Sequence, residues 1–182
     1  FFILRAHYRS PLNYSDVHLD DAKSSLTRLY TALRGHEVST HEIDWNQPQA
    51  ARFKEAMEDD FNTSEAMAVL FDLANELNKT KEATTANLLF NLAGVLGLLQ
   101  QNANAFLHGG VIGYVNAKNK DDVSNTSGEV GYTEANINQL ISNRLEAKKS
   151  KNFAEADAIR KQLADAGIIL EDTPQGTTWR RA

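Results

Sequence analysis

At 182 residues the chain is long enough for one full hydrophobic core or two small ones. Its 42% hydrophobic and 24% charged residues exclude wholesale disorder, and the lack of Cys excludes a disulfide framework, a thiolate zinc site and a cysteine nucleophile within it. The net charge of -5 runs against a nonspecific nucleic-acid binder, and no apolar run approaches the roughly 18 residues of a bilayer-spanning helix.

Phe1 to Tyr8 lacks the basic start and small-residue cleavage site of a signal peptide and reads as the apolar end of a helix. The chain is therefore expected to be part of something longer. Pro11 breaks that segment. Ser15 then caps a helix with a buried stripe of Leu19, Ala22, Leu26, Leu29, Tyr30 and Leu33, ended by Gly35. The polar stretch from His36 to Gln47 is a loop. Pro48 opens a second helix carrying Phe53, Ala56, Met57 and Phe61 on its apolar face. Asn62 caps a third, whose stripe of Ala66, Val69, Leu70, Leu73, Ala74 and Leu77 is the cleanest in the chain. From about Lys81 to Gln100 the sequence is apolar nearly all round, the pattern of a central bundle helix, with Gly94 and Gly97 inside it.

Residues 108–132 hold five glycines among polar residues without periodicity and are expected to be a flexible linker. Beyond it, Ile137, Leu140, Ile141 and Leu145 mark a helix that ends in Lys148-Lys149-Ser150-Lys151. Asn152 caps another, with Ala156, Ile159, Leu163 and Ala166 inward and Gly167 at its end. Ile168 to Leu170 and Thr177 to Trp179 flank a Pro-Gln-Gly turn as a small hairpin. The fold class is mainly α: a helical bundle followed by a helical pair and a β-hairpin.

Signatures of phosphate loops, dinucleotide sites, zinc proteases and serine hydrolases are absent, so no catalytic or metal-binding residue is assigned. His36 and His41 are ordinary loop residues, and Glu58-Asp59-Asp60 is solvated charge near the next helix start. The tail is more informative. Arg144 and Lys148 lie four apart on one stripe beside the apolar one, while Phe153, Asp157 and Arg160 share a stripe on the next helix. A ring with cations and a carboxylate suits unstacked bases: the ring stacks, Arg stacks or donates, the carboxylate accepts from an amine. A hydrophobic staple beside an ordinary surface ion pair explains the same residues. Residues 133–182 hold eight Lys/Arg and seven Asp/Glu, a balance of +1 that leaves -6 for residues 1–132. Only the tail offers a phosphate-facing surface.

Ala6-His7-Tyr8-Arg9-Ser10-Pro11-Leu12-Asn13-Tyr14-Ser15, Leu29 to Arg34, Met57-Glu58-Asp59-Asp60-Phe61-Asn62-Thr63 and the closing run Gly167 to Arg181 together resemble bacterial cysteinyl-tRNA synthetases, motif by motif and in order. The resemblance implies the C-terminal portion of such an enzyme, lying after its KMSKS loop. The nucleotide-binding sheet, the HIGH motif and the zinc ligands would be upstream. On that likeness residues 1–14 end a connecting helical segment, 15–107 form a DALR-type antiparallel bundle, 108–132 are the linker, and 133–182 recognise the GCA anticodon. The anticodon contacts it implies are Lys148, Phe153, Asp157 and Asp172, with Arg144 and Arg160 on the same surface. The family often has Trp where this chain has Phe153, and Arg where it has Lys148. Phe keeps the stack with less area, and Lys keeps the charge without the planar fork. The run Lys148 to Asn152 has a superficial likeness to KMSKS, but it joins two amphipathic helices and follows no nucleotide-binding sheet.

The resemblance thus implies a tRNA-binding fragment, cytoplasmic and monomeric, whose partner is the tRNA for cysteine. It has no cofactor of its own, ATP and zinc belonging to the parent cysteine ligase. The rival class is a noncatalytic helical module that docks another protein. The related cysteine ligase of mycothiol biosynthesis, as a family, lacks this tail.

Overall fold

The chain divides between Leu107 and His108 into two units, each described by itself below. The computed structural model describes residues 1–109, 132–173 and 176–182, which form seven α-helices and one antiparallel strand pair.

In the first unit a single 3-10 turn (Ile3–Arg5) precedes α1 (Asp16–Leu33), α2 (Pro48–Glu58), α3 (Thr63–Thr80), α4 (Ala83–Val95) and the short α5 (Ala103–Leu107). Local chemistry sets the starts. Ser15 Oγ accepts from the His18 amide at 3.2 Å, and Asn62 Oδ1 accepts from the Glu65 amide at 3.2 Å. The core belongs to α3, which packs on α1, α2 and α4 and buries Ala66, Met67, Val69, Leu70, Leu73, Ala74 and Leu77. Each fully buried leucine among them contributes about 1.5–3 kcal/mol.

Two expectations fail here. The segment from Lys81 to Gln100 does pack on α1, α2 and α3, as a bundle helix contacted on several sides should, but it is not helical throughout. That segment stops being helical at Val95, because Gly97 adopts φ +68° and the chain caps itself. The Leu98 amide reaches back to Ala93 O (2.9 Å) and the Gly97 amide to Gly94 O (2.9 Å), after which Leu98 and Leu99 drop into the core. Phe61 is not a core residue. α2 ends at Glu58, and two successive left-handed residues, Asp60 (φ +52°) and Phe61 (φ +53°), turn its ring outward. The opening residues form the 3-10 turn and then a second turn, closed by the Ser10 amide on His7 O at 2.8 Å. Asp60 ties that chain down, taking Tyr8 Oη at 2.8 Å and Arg9 at 2.8 Å, while Ser64 Oγ donates to Arg5 O at 3.1 Å. Asp60 is thus engaged while remaining exposed.

The second unit holds α6 (Glu134–Lys149), α7 (Phe153–Asp165), β1 (Ile168–Thr173) and β2 (Gly176–Arg181). The strands pair antiparallel, from Ile168 opposite Arg181 to Thr173 opposite Gly176. Thr133 and Asn152 cap the helices through the Asn136 and Glu155 amides. Between them the chain turns in one step. Lys151 takes φ +59° while the Asn152 amide returns to Ala147 O at 2.8 Å. Ile137, Ile159, Leu163, Ile168 and Trp179 make the core. Two inward assignments fail: Leu145 is exposed because its neighbour Arg144 takes the inside, and Ala166 is exposed as the C-cap of α7.

Of the stretch expected as a linker, residues 110–131 lie outside the described residues. His108 and Gly109 belong to the second unit. The His108 ring stacks on Trp179 at 3.8 Å and 7°, and Arg181 donates to His108 O (3.2 Å) and Tyr132 O (3.3 Å). Gly109, at φ +77°, allows the approach, since a Cβ there would meet Arg181 Cδ at 2.7 Å.

Candidate nucleic-acid interface

The second unit is organised around one carboxylate. Asp172, on β1, receives Arg144 Nη1 at 2.9 Å on Oδ1 and Arg144 Nη2 at 3.0 Å on Oδ2, a fork-to-fork pair. Thr177 Oγ1 donates to Oδ1 at 2.6 Å from the facing strand, and Lys148 Nζ donates to Oδ2 at 3.1 Å from one helical turn beyond Arg144. Four donors occupy the roughly four lone-pair sites of a carboxylate. They hold its carboxyl well below the usual range, Arg144 first, then Thr177, with Lys148 adding to them.

Arg144 is 5% exposed, buried between α6 and the hairpin, so it does not present its guanidinium to solvent as the surface stripe would require. Its pKa is raised chiefly by Asp172, and the charge of Asp157 adds to that. Its Nε is buried with no hydrogen-bond partner, which makes the Asp172 pair the main compensation for the buried charge.

On α7, Phe153 begins the helix as a residue 62% exposed, and Asp157 and Arg160 follow on the same exposed side. The six predicted residues therefore fall into three settings: Phe153, Asp157 and Arg160 on the open face of α7, Lys148 and Asp172 where α6 meets the hairpin, and Arg144 beneath, paired to Asp172 and within electrostatic reach of Asp157. Lys148 and Asp172 also line a hollow of about 470 Å³ with Asn138, Ile141, Ser142, Leu145, Thr173, Gly176 and Thr177. Sequence reasoning missed its α6 wall. The signal was there, since 138, 141, 142 and 145 share one helical face, but it mixes polar and apolar residues and Leu145 was read as core.

Among the described residues no group of three or more His, Asp or Glu is placed to hold a metal. No helix among them is long and apolar enough to cross a membrane.

Residues 52–100 match the DALR domain, and residues 133–180 match the cysteinyl-tRNA ligase anticodon binding domain. Over the whole chain, 57% of residues are identical to the cysteine--tRNA ligase of Methylobacillus flagellatus and 55% to that of Aromatoleum aromaticum, in each case across 36% of the relative's length. The chain corresponds to the C-terminal region of cysteine--tRNA ligases. It spans just over a third of the length of these relatives and matches their C-terminal regions. The helical first unit contains the DALR match, and the anticodon binding domain coincides with the helical pair and hairpin built around Asp172.

Proposed function

We propose that the chain binds the tRNA for cysteine through its second unit, at the GCA anticodon, and adds no bond-making residue to the ligation. One observation carries this reading: a phenylalanine ring standing open to solvent beside a carboxylate and cations, within a domain matched as anticodon binding. Phe153 stacks on an unpaired base, worth about 1–3 kcal/mol. Asp157 accepts from a base amine, and Arg160 and the donors of Lys148 not held by Asp172 meet phosphate or base edge. Arg144 keeps Asp172 in place from below. Asp172 itself meets a base when Lys148 or Thr177 gives up its bond, since all four of its acceptor positions are filled beforehand.

Anchoring the anticodon helps the distant reaction by fixing the acceptor end in a productive geometry. The ATP and zinc of the parent enzyme fall to the part of the family's chains that this one does not span. With no Cys in the sequence and no three-ligand group among the described residues, the donors here do not suit zinc. A monomer acting in the cytoplasm completes the reading.

The test is equilibrium binding of the 182-residue chain to tRNA transcripts carrying the GCA anticodon or an altered one, at one fixed salt concentration. The GCA transcript should bind more tightly. Phe153→Ala should cost about 1–3 kcal/mol on it and much less on the altered one, with urea unfolding unchanged because the ring is exposed. Equal affinity for both transcripts overturns the reading.

A further inference from the structure

We infer that Asp172 keeps Asp157 available to RNA by occupying Arg144, a buried guanidinium that would otherwise draw Asp157 away from the bases. Asp172 is then a positioning residue for Asp157, and the two carboxylates do not act independently. The inference rests on the anticodon reading and adds to it a coupling between two of its residues.

Arg144 has donor capacity left over. Its Nη1 and Nη2 donate to the Asp172 fork at 2.9 and 3.0 Å, while its buried Nε donates to nothing. A buried cation with a vacant donor is costly, and a carboxylate that reaches it gains a charge-assisted hydrogen bond. Two carboxylates are close enough to matter. Asp172 comes from β1, and Asp157 from α7, which packs directly on α6. After Asp172, it is the charge of Asp157 that raises the Arg144 pKa. Among the described residues Asp157 itself forms no hydrogen bond or ion pair, so it stands ready for whichever partner is offered.

Geometry decides the competition. The Asp172 fork is bidentate, and Thr177 and Lys148 fix it from two further directions, so Asp172 wins the guanidinium and Asp157 stays exposed. A base that displaces Lys148 or Thr177 from Asp172 leaves the fork intact, and Asp157 remains free to accept. Removing the charge of Asp172 reverses the order. Arg144 lies too deep to be hydrated, and Asp157 is then the anion that its charge feels. A carboxylate engaged that way has fewer lone pairs for a base amine and is turned inward from the open face of α7.

The test measures the affinity of the full 182-residue chain for the GCA transcript in three backgrounds, each with and without Asp157→Ala. They are the parent, Asp172→Asn, and Arg144→Met combined with Asp172→Leu. Sucrose in the buffer favours the compact state, and the Trp179 fluorescence of a Trp45→Phe chain verifies that each variant is folded. In the parent, Asp157→Ala should weaken binding about tenfold, the loss of one base contact. In Asp172→Asn the same change should cost about twofold or less, because Asp157 is already taken. With the guanidinium removed as well, the tenfold loss should return. A measurement without RNA reads the capture directly: Asp157→Ala should leave the urea midpoint of the parent unchanged and lower that of Asp172→Asn. If Asp157→Ala weakens binding equally in the parent and in Asp172→Asn, and lowers neither midpoint, the capture is refuted and the anticodon reading stands. If the parent shows no preference for GCA and neither Asp157→Ala nor Phe153→Ala changes its affinity, the anticodon reading falls and the inference with it.

Discussion

Replacing Asp172 by Ala strands a buried guanidinium. The Arg144 side chain is only 6% exposed, and its Nε already lacks a partner, so the variant leaves a charge with little water and no paired anion. Breaking one side of a buried pair costs about 3–5 kcal/mol. Two features lower that figure: the Asp172 side chain is itself 51% exposed, so the pair is partly wet, and the charge of Asp157 stays near Arg144. The lost Lys148 contact is exposed and contributes about 1 kcal/mol or less. The expected destabilisation of the second unit is about 2–4 kcal/mol. At about 4–8 °C per kcal/mol for a unit of this size, the melting midpoint drops by on the order of 10–30 °C. The chain has two tryptophans, Trp45 in the first unit and Trp179 in the core of the second. A Trp45→Phe background therefore makes indole fluorescence a reporter of the second unit alone, followed through a urea titration. The double change Arg144→Met with Asp172→Leu should recover much of the loss, because nothing charged is left buried. If Asp172→Ala unfolds within about 0.5 kcal/mol of the parent, as a neutral surface change would, the account of Asp172 as the pin of this unit is wrong.

Two further outcomes follow from the same geometry. The folded-state carboxyl of Asp172 lies below its ordinary value of 3.8, so the stability it contributes is complete above about pH 5 and is lost as pH falls through 4 toward the folded value. The urea midpoint of the Trp179 signal should decline across that window, with a flatter decline in Asp172→Asn; identical slopes would contradict the assignment. Lys151→Gly should raise the midpoint by about 0.5–1 kcal/mol, since the left-handed backbone at φ +59° penalises a side chain by more than glycine's extra unfolded freedom costs. An unchanged or lower midpoint would show that Lys151 is not strained.

Much of the fold was legible because helix stripes and caps are local. Ser15, Asn62 and Asn152 cap as their types suggest, and the stripe from Ala66 to Leu77 is buried as spaced. What escaped depended on partners distant in sequence. Arg144 reads as a surface cation until Asp172, on a strand that follows, supplies the charge that lets it go inside. Once it does, Leu145 must face out, and the wall of the hollow appears. The end of α4 shows a different limit: Gly97 was visible, but the sequence alone gave no reason to prefer a cap over a close helix contact. Phe61 sat at the right spacing for the apolar face of α2, yet the left-handed pair it forms with Asp60 removes it from the helix. In the site, the exposure of Phe153, Asp157 and Arg160 followed from helix phase, whereas the saturation of Asp172 needed the hairpin register that sets Thr177 opposite it.

Arg181 grips the carbonyls of His108 and Tyr132 with one side chain, so the last strand holds two backbone positions that lie far apart in sequence. A single substitution of that guanidinium releases both at once, and with them one anchor of the residue whose ring stacks on Trp179.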